Sequence, residues 1–306
     1  MLQFDKDFFL GETYQDFYVE PMMKCVWAAQ LEVLEVIRGI CEKHKIKYFA
    51  AYGTLLGAVR HKGFIPWDDD VDIMMLREDY ERFMKLAPAE FSGDYHLQSP
   101  HNLEDYSTTF MRVTNTWTIS YAPQQLLEFH GCPYIVGVDI FPLDTLPLNH
   151  AQEMDQAQLV QILMGTSVNC ETDPEGVLEV LPDLESLCHT KFDRSKKLRG
   201  QLLKQADIIS KKYSNTNGPL VTHVPGNSNG DYHFQKKWFD ECIYLPFENI
   251  TLPAPKAYDA VLKNVYGENY MTPICSVSHD YPFYKKQIEA LEKSLVERVM
   301  RGEKLL

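Results

Sequence analysis

Several things are scarce in this sequence. It has no CxxC pair, and its seven cysteines, an odd number, are scattered along 306 residues. That argues against a disulfide framework and against a structural zinc site. No stretch approaches the ~18 consecutive apolar residues of a spanning helix. Neither a Walker A sequence nor GxGxxG occurs, so P-loop and dinucleotide-binding readings have no support. Positive charge is also short: 30 Lys and Arg stand against 43 Asp and Glu, a formal charge of −13. Clustered positive charge is what a nucleic-acid surface needs, so such a partner is not expected. A nucleotide substrate stays compatible, since metal ions held on carboxylates can carry its phosphates. The opening MLQFDKDFFLGETYQDF is too acidic and too poor in apolar residues for a signal peptide. A cytoplasmic protein is the expectation.

What is present is an ordinary globular mix, 45% hydrophobic and 12% aromatic, in a chain long enough for a large core. Apolar residues at helical spacing predict an amphipathic helix over 21–43. Tyr48 to Tyr52 reads as a buried strand, Gly53-Thr54 as a turn, and Leu55 to Val59 as a short helical piece. Val71 to Leu76 reads as a second strand, followed by a helix from Glu78 to Leu86 that Pro88 stops. Tyr95 to Leu97 and Trp117 to Tyr121 are strand-like, and Tyr134 to Phe141 reads as a central strand with Asp144 capping its exit. From about 150 the character changes, and QEMDQAQLVQILMG and KFDRSKKLRGQLLKQADIISKKYS are helical in pattern. Asn, Gly and Pro make 214–231 a loop, and two further helices close on Gly267 and Gly302. The division expected is a catalytic core over 1–149, a helical and loop accessory insertion over 150–231, and a C-terminal helical part over 232–306.

The informative segment is Trp67-Asp68-Asp69-Asp70-Val71-Asp72-Ile73. Side chains two apart on a strand share a face, so Asp70 and Asp72 project together, with Asp68 near the mouth. Like charges this close repel by roughly 4 kcal/mol at 4 Å with an effective dielectric of 20. Proton uptake or a bound cation relieves that, and Mg²⁺ (or Mn²⁺), one or two ions, is the natural choice for oxygen ligands. A solvated acidic turn is the plainer alternative, weakened by the apolar run DVDIMML. An EF-hand fails, because Ile73 stands where its glycine belongs. Asp139, inside VGVDIF, is costly unless paired or metal-bound; alone a strand-end aspartate is the plainer reading, and beside the first cluster it is the candidate third ligand. The Gly53-Thr54 turn leads into a helix start whose N–H groups can hold phosphate, though most such turns are structural. Arg60, His61 and Lys62 add positive charge close by. Trp67 is a candidate for stacking on a base or a quaternary ammonium, against the plainer reading of a packed core residue. With Asp68 it completes the candidate substrate contacts. His279 could reach the same place, though a surface histidine is the plainer reading.

The run AYGTLLGAVRHKGFIPWDDDVDIMM resembles the signature of the LicD/fukutin-related family. VGVDIFPLD and PFENITLPAPKAYDAVLKNVYGENYMTP extend the resemblance, while the segment from about 150 to 230 departs from it. The resemblance implies an α+β fold with a mixed sheet core flanked by helices, of the nucleotidyltransferase type related to DNA polymerase beta. By the same resemblance Asp70, Asp72 and Asp139 are the metal-binding aspartates, Gly53 and Thr54 form the phosphate-facing turn, and Arg60 and His61 are the preceding basic pair. It implies metal-dependent transfer of phosphocholine, or a related phospho-alcohol, from a CDP-linked donor such as CDP-choline. The acceptor implied is a hydroxyl of a cell-surface glycan (teichoic acid or lipopolysaccharide) or its lipid-linked precursor, and CMP is released. Two other readings compete: a metal-dependent glycosyltransferase that uses its DxD on a nucleotide sugar, and an inactive binding relative. The segment 191–212 carries eight Lys and Arg against two acids. Read as one basic helix, it suggests peripheral association with the inner face of a membrane, or more plainly a solvated face.

Overall fold

A computed structural model describes residues 1–227, 232–275 and 281–301; His279 and Gly302 lie outside them. A small hairpin, β1 (Glu12–Tyr14) and β2 (Phe17–Val19), leads into α1 (Pro21–His44), β3 (Phe49–Ala50), α2 (Tyr52–Arg60), β4 (Asp72–Leu76) and α3 (Arg77–Glu90). Then come β5 (His96–Gln98), β6 (Met111–Thr114), α4 (Pro123–Glu128) and β7 (Gly137–Thr145). Three helices follow, α5 (His150–Thr172), α6 (Pro174–Cys188) and α7 (Leu198–Ser210). The chain ends with β8 (Leu220–Thr222), β9 (Phe234–Gln235), the hairpin β10 (Cys242–Phe247) and β11 (Ile250–Pro255), α8 (Tyr258–Tyr266) and α9 (Tyr284–Met300).

The main sheet runs β3-β4-β7-β6-β5, and β8 and β9 continue it from the far end of β7. β4 and β7 are parallel while the other pairs are antiparallel, so the sheet is mixed and the class is α+β. Ile73, Met74 and Met75 of β4 are all buried, as expected for a strand covered on both faces. α1 contributes a long apolar flank, with Met23, Trp27, Leu34 and Ile37 in the same core as the sheet.

A second apolar cluster joins Leu146 to residues of α5, α6 and α7, among them Val160, Leu163, Leu181, Leu202 and Ala206. The two cores meet through buried charge. Arg77 donates Nε and Nη2 to Asp144 at 2.6 and 2.8 Å and Nη1 to Asp207 of α7 at 2.8 Å. His101 Nε2 lies 2.7 Å from the other Asp207 oxygen.

Several elements differ from the sequence reading. Gly53 and Thr54 belong to the first turn of α2 rather than to a turn before it. α3 runs through Pro88 to Glu90, so the helix continues past the proline at the cost of the i→i−4 bond that its nitrogen cannot donate. The central strand begins at Gly137 and continues past Phe141, so Asp144 is no cap. It lies inside β7, fully buried, where pairing with Thr222 of β8 prolongs the strand. Residues 117–121 form no strand, and Trp117 is exposed against His96. The basic segment is helical only from Leu198; Lys191 to Lys197 are irregular. The C-terminal part is not purely helical, because the β10–β11 hairpin lies in it. All seven cysteines are free, and no helix among the described residues is long and apolar enough to cross a membrane.

Candidate functional site

The aspartate loop is held from several sides. Trp27 and Gln30, one turn apart on α1, donate to the backbone carbonyls of Asp68 (3.1 Å) and Asp69 (2.9 Å). The phenol of Tyr281 donates to the Pro66 carbonyl (3.2 Å), and the Phe283 N–H donates to Asp69 Oδ2 (2.5 Å). At the loop's exit Asp72 N–H donates to Thr54 Oγ1 (2.8 Å), and Ala51 N–H donates to the Asp72 carbonyl (3.0 Å). The turn between β10 and β11 braces the approach: Glu248 Oε1 accepts the Phe64 N–H at 3.0 Å, and the Glu248 N–H donates to the Lys62 carbonyl at 2.8 Å. Backbone carbonyls and amides that a loop would otherwise leave to water are thus fixed by side chains.

This frame concentrates carboxyls. Asp68, Asp69 and Asp70 can bring one oxygen each within 4.8 Å of one another. Asp68 lies against the first turn of α2 so closely that a methyl group at Gly53 would overlap its carboxylate. Burial, then the neighbouring Asp70, pushes the Asp68 carboxyl up to about 8. Asp72 is also raised, first by burial and then by Asp70, Asp139 and Asp68. Such mutual repulsion favours a proton or a cation between the groups.

Asp72 opens a row across the sheet. It stands opposite Asp139 on β7, which stands opposite Arg112 on β6, which stands opposite Gln98 on β5. Directly opposed residues share a face. Arg112 grips Asp139 with two donors, Nε to Oδ1 and Nη2 to Oδ2, the latter at 2.6 Å. Burial raises the Asp139 carboxyl and Arg112 opposes that rise. Arg112 was not among the candidates from the sequence. Its only local signal was a lone arginine between Met111 and Val113, and the register that gives it meaning is a long-range fact.

A cleft opens on each side of the aspartate loop. One, of about 430 Å³, is lined by Gly53, Arg60, Trp67, Asp68, Tyr266 and Tyr270 among others. The other, of about 500 Å³, is lined by Gln30, Asp69, Asp70, Gln98, Arg112 and Asp139 among others. Asp69 and Tyr266 are further members that the sequence did not single out. Tyr266 is close enough for Asp68, Asp72 and Asp70, after burial, to raise its phenol.

The basic run is dispersed. Arg60 reaches the first cleft and donates Nη1 to the Tyr270 carbonyl at 3.0 Å. His61 packs its ring edge-on against Trp67 and Tyr14. Burial and then Arg60 lower its pKa to about 4, so it is neutral at pH 7 and supplies no charge. Lys62 is exposed, in a left-handed conformation, and lines neither cleft. Trp67 is buried among Tyr14, Phe17 and His61 while lining the first cleft.

Residues 45–153 match the family model described as LicD/FKTN/FKRP, nucleotidyltransferase domain. The chain is 26% identical over 253 residues to the lipopolysaccharide cholinephosphotransferase LicD of Haemophilus influenzae, covering 79% of this chain and 89% of that protein. It is 35% identical over 85 residues to the human ribitol 5-phosphate transferase FKRP, 26% of this chain and 17% of that one. An uncharacterised protein of Rickettsia typhi shares 54% over 60 residues, 20% of this chain and 19% of its own length.

Proposed function

The chain belongs to the LicD/FKTN/FKRP family, and from that premise we propose that it transfers a phospho-alcohol group, phosphocholine foremost, from a CDP-linked donor to a hydroxyl of a cell-surface glycan or its lipid-linked precursor. The observation that carries this reading is the carboxyl cluster seated against the start of α2, with one cleft on either side. Two substrates meeting at one charged centre need that arrangement. The names of the two characterised relatives, a cholinephosphotransferase and a ribitol 5-phosphate transferase, share a phospho-alcohol as the group moved.

The donor set fits a hard divalent cation such as Mg²⁺: carboxyl oxygens converge, and burial and mutual repulsion hold protons on Asp68 and Asp72 that a cation would displace. Asp70, whose oxygen converges with those of Asp68 and Asp69, would hold it with Asp72 and Asp139 beside that group; when bound, it would neutralise charge on the donor's diphosphate. The protein's own groups do the rest. The first turn of α2 offers N–H groups to a phosphate. Arg60 lines the same cleft and adds fixed positive charge there. Trp67, Tyr266 and Tyr270 give that cleft aromatic surface for a base or a quaternary ammonium.

In the reaction an acceptor hydroxyl oxygen forms a bond to the phosphorus that carries the alcohol. The bond from that phosphorus to the bridging oxygen breaks, and CMP leaves with the electron pair. Asp139, held in place by Arg112, takes the hydroxyl proton.

The test is CMP release by purified protein with Mg²⁺ and a panel of CDP-alcohols, with and without glycan acceptors. Asp70→Asn is expected to lower the rate at least about a hundredfold. Near-wild-type, Mg²⁺-dependent release by that variant overturns the site assignment. Release of a nucleoside diphosphate from a nucleotide sugar would mark a glycosyltransferase instead.

A further inference from the structure

The second cleft holds polar groups that neither the loop nor the sheet uses. Gln30 is buried, and its Nε2 is engaged by the Asp69 carbonyl. Its Oε1 is also buried and has no hydrogen-bond donor among the described residues. A buried amide oxygen is costly to leave unpaired, so this one marks a place where a donor from outside the protein belongs. On the opposite wall Gln98 Nε2 donates to Thr114 Oγ1 at 3.2 Å. The Gln98 Oε1 and the Thr114 hydroxyl hydrogen then have no partner among the described residues.

Charge selects the class of guest. The ionisable residues lining this cleft are Asp69, Asp70 and Asp139 against Arg112 alone, and Arg112 is already committed to Asp139. An anionic guest is repelled and a neutral one is not. Apolar surface comes from Ile135, Val136 and Phe283. Two amide oxygens and a hydroxyl offer acceptors and a donor beside an aromatic ring, which suits hydroxyls on a small carbon skeleton. A volume of about 500 Å³ falls within the usual range of small-molecule sites, roughly 300–1,000 Å³.

We propose that this cleft is the acceptor subsite and seats a neutral polyhydroxylated compound, a sugar or sugar alcohol. Gln30 Oε1 and Gln98 Oε1 accept from its hydroxyls, and Thr114 donates to one of them. The assignment of acceptor rests on the transferase reading above, in which a hydroxyl beside Asp70 and Asp139 is the nucleophile. It leaves the aromatic cleft with Arg60 to the donor.

Saturation-transfer NMR on the full chain, without donor or metal, tests it. The probes are methyl hexopyranosides, methyl N-acetylhexosaminides, ribitol and glycerol. Saturation is expected to reach at least one probe, with affinity about tenfold weaker in Gln30→Met and in the double variant Gln98→Ala/Thr114→Val. Lys212→Ala, outside the site, is expected to match the wild type. The double variant leaves the Gln30–Asp69 bond in place, so it decides the matter even where Gln30→Met disturbs the loop. Transfer to none of the probes, or equal affinity in the wild type and the double variant, overturns the proposal. Cleavage of CDP-alcohols by the wild type is read separately. Its absence defeats the transferase reading, whereas probe binding lost in the double variant still establishes a carbohydrate site in this cleft.

Discussion

Thr54 Oγ1 accepts the backbone N–H of Asp72 at 2.8 Å, so the first turn of α2 is tied directly to the first residue of β4. A hydroxyl three residues into a helix start thereby sets where the acidic strand begins. Thr54→Val leaves that N–H without an acceptor and is expected to cost about 1–3 kcal/mol in urea unfolding, with CMP release down at least tenfold. Thr54→Ser keeps the oxygen and is expected to stay close to the wild type. Equal behaviour of the two variants would show that the tie is inert.

Asp68 gives the metal-free protein a pH dependence of definite sign. Its carboxyl titrates near 8 when folded, against 3.8 for the ordinary group. Between those values the folded chain keeps a proton that the unfolded chain has lost. This group's contribution to stability is therefore complete below about pH 4, falls as pH rises, and is gone above about pH 8. Asp68→Asn is expected to flatten that slope in thermal unfolding. Mg²⁺ favours the ionised carboxyl and is expected to raise Tm more at pH 8 than at pH 5.5. Equal shifts at the two pH values would remove Asp68 from the cation site.

Gly53 separates site geometry from fold. Its backbone dihedrals suit any residue, but an added methyl meets the Asp68 carboxylate. That carboxylate can swing aside at little cost to the fold, so Gly53→Ala is expected to keep its Tm within about 2 °C without metal, a change of a few tenths of a kcal/mol. The Mg²⁺-dependent rise in Tm is expected to shrink by half or more. A full Mg²⁺ shift in this variant would argue against a role for the close approach.

The pair between Arg77 and Asp207 predicts the opposite pattern. Both side chains are almost wholly buried, at 5% and 2% exposure. Asp207→Ala leaves the guanidinium with Asp144 alone and is expected to cost about 3–5 kcal/mol, seen as a lower urea midpoint. A loss below about 1 kcal/mol would mean that water replaces the carboxylate freely.

How far this was legible from the sequence depended on the range of each interaction. Local pattern was enough for α1, where Met23, Trp27, Leu34 and Ile37 recur at helical spacing, whereas the mixed α+β class followed from the family resemblance. The aspartate segment stood out because carboxyls inside an apolar run need an explanation. Other features were hidden because their cause is distant. Gly176 and Pro182 mask α6, which forms because Asp173 caps it by accepting the Gly176 N–H and because Val177, Leu181, Leu184 and Cys188 face the second core. Prolines 246, 253 and 255 mask the β10–β11 ribbon, where a two-stranded edge tolerates missing donors. Arg112 and Gln98 acquired a role only through strand register, and Asp69 only through Phe283, more than two hundred residues away.

The buried Arg77 has one further consequence, for anyone exchanging parts between related chains. The helices after β7 present themselves as a removable cassette, with their own apolar centre and short entry and exit. Yet α7 supplies one of the two carboxylates that Arg77 holds, and β7 supplies the other. A transplanted segment that lacks an acid where Asp207 stands strands a guanidinium beneath the sheet. Exchanging that segment between relatives therefore requires that arginine and its two acids to travel as one inheritance.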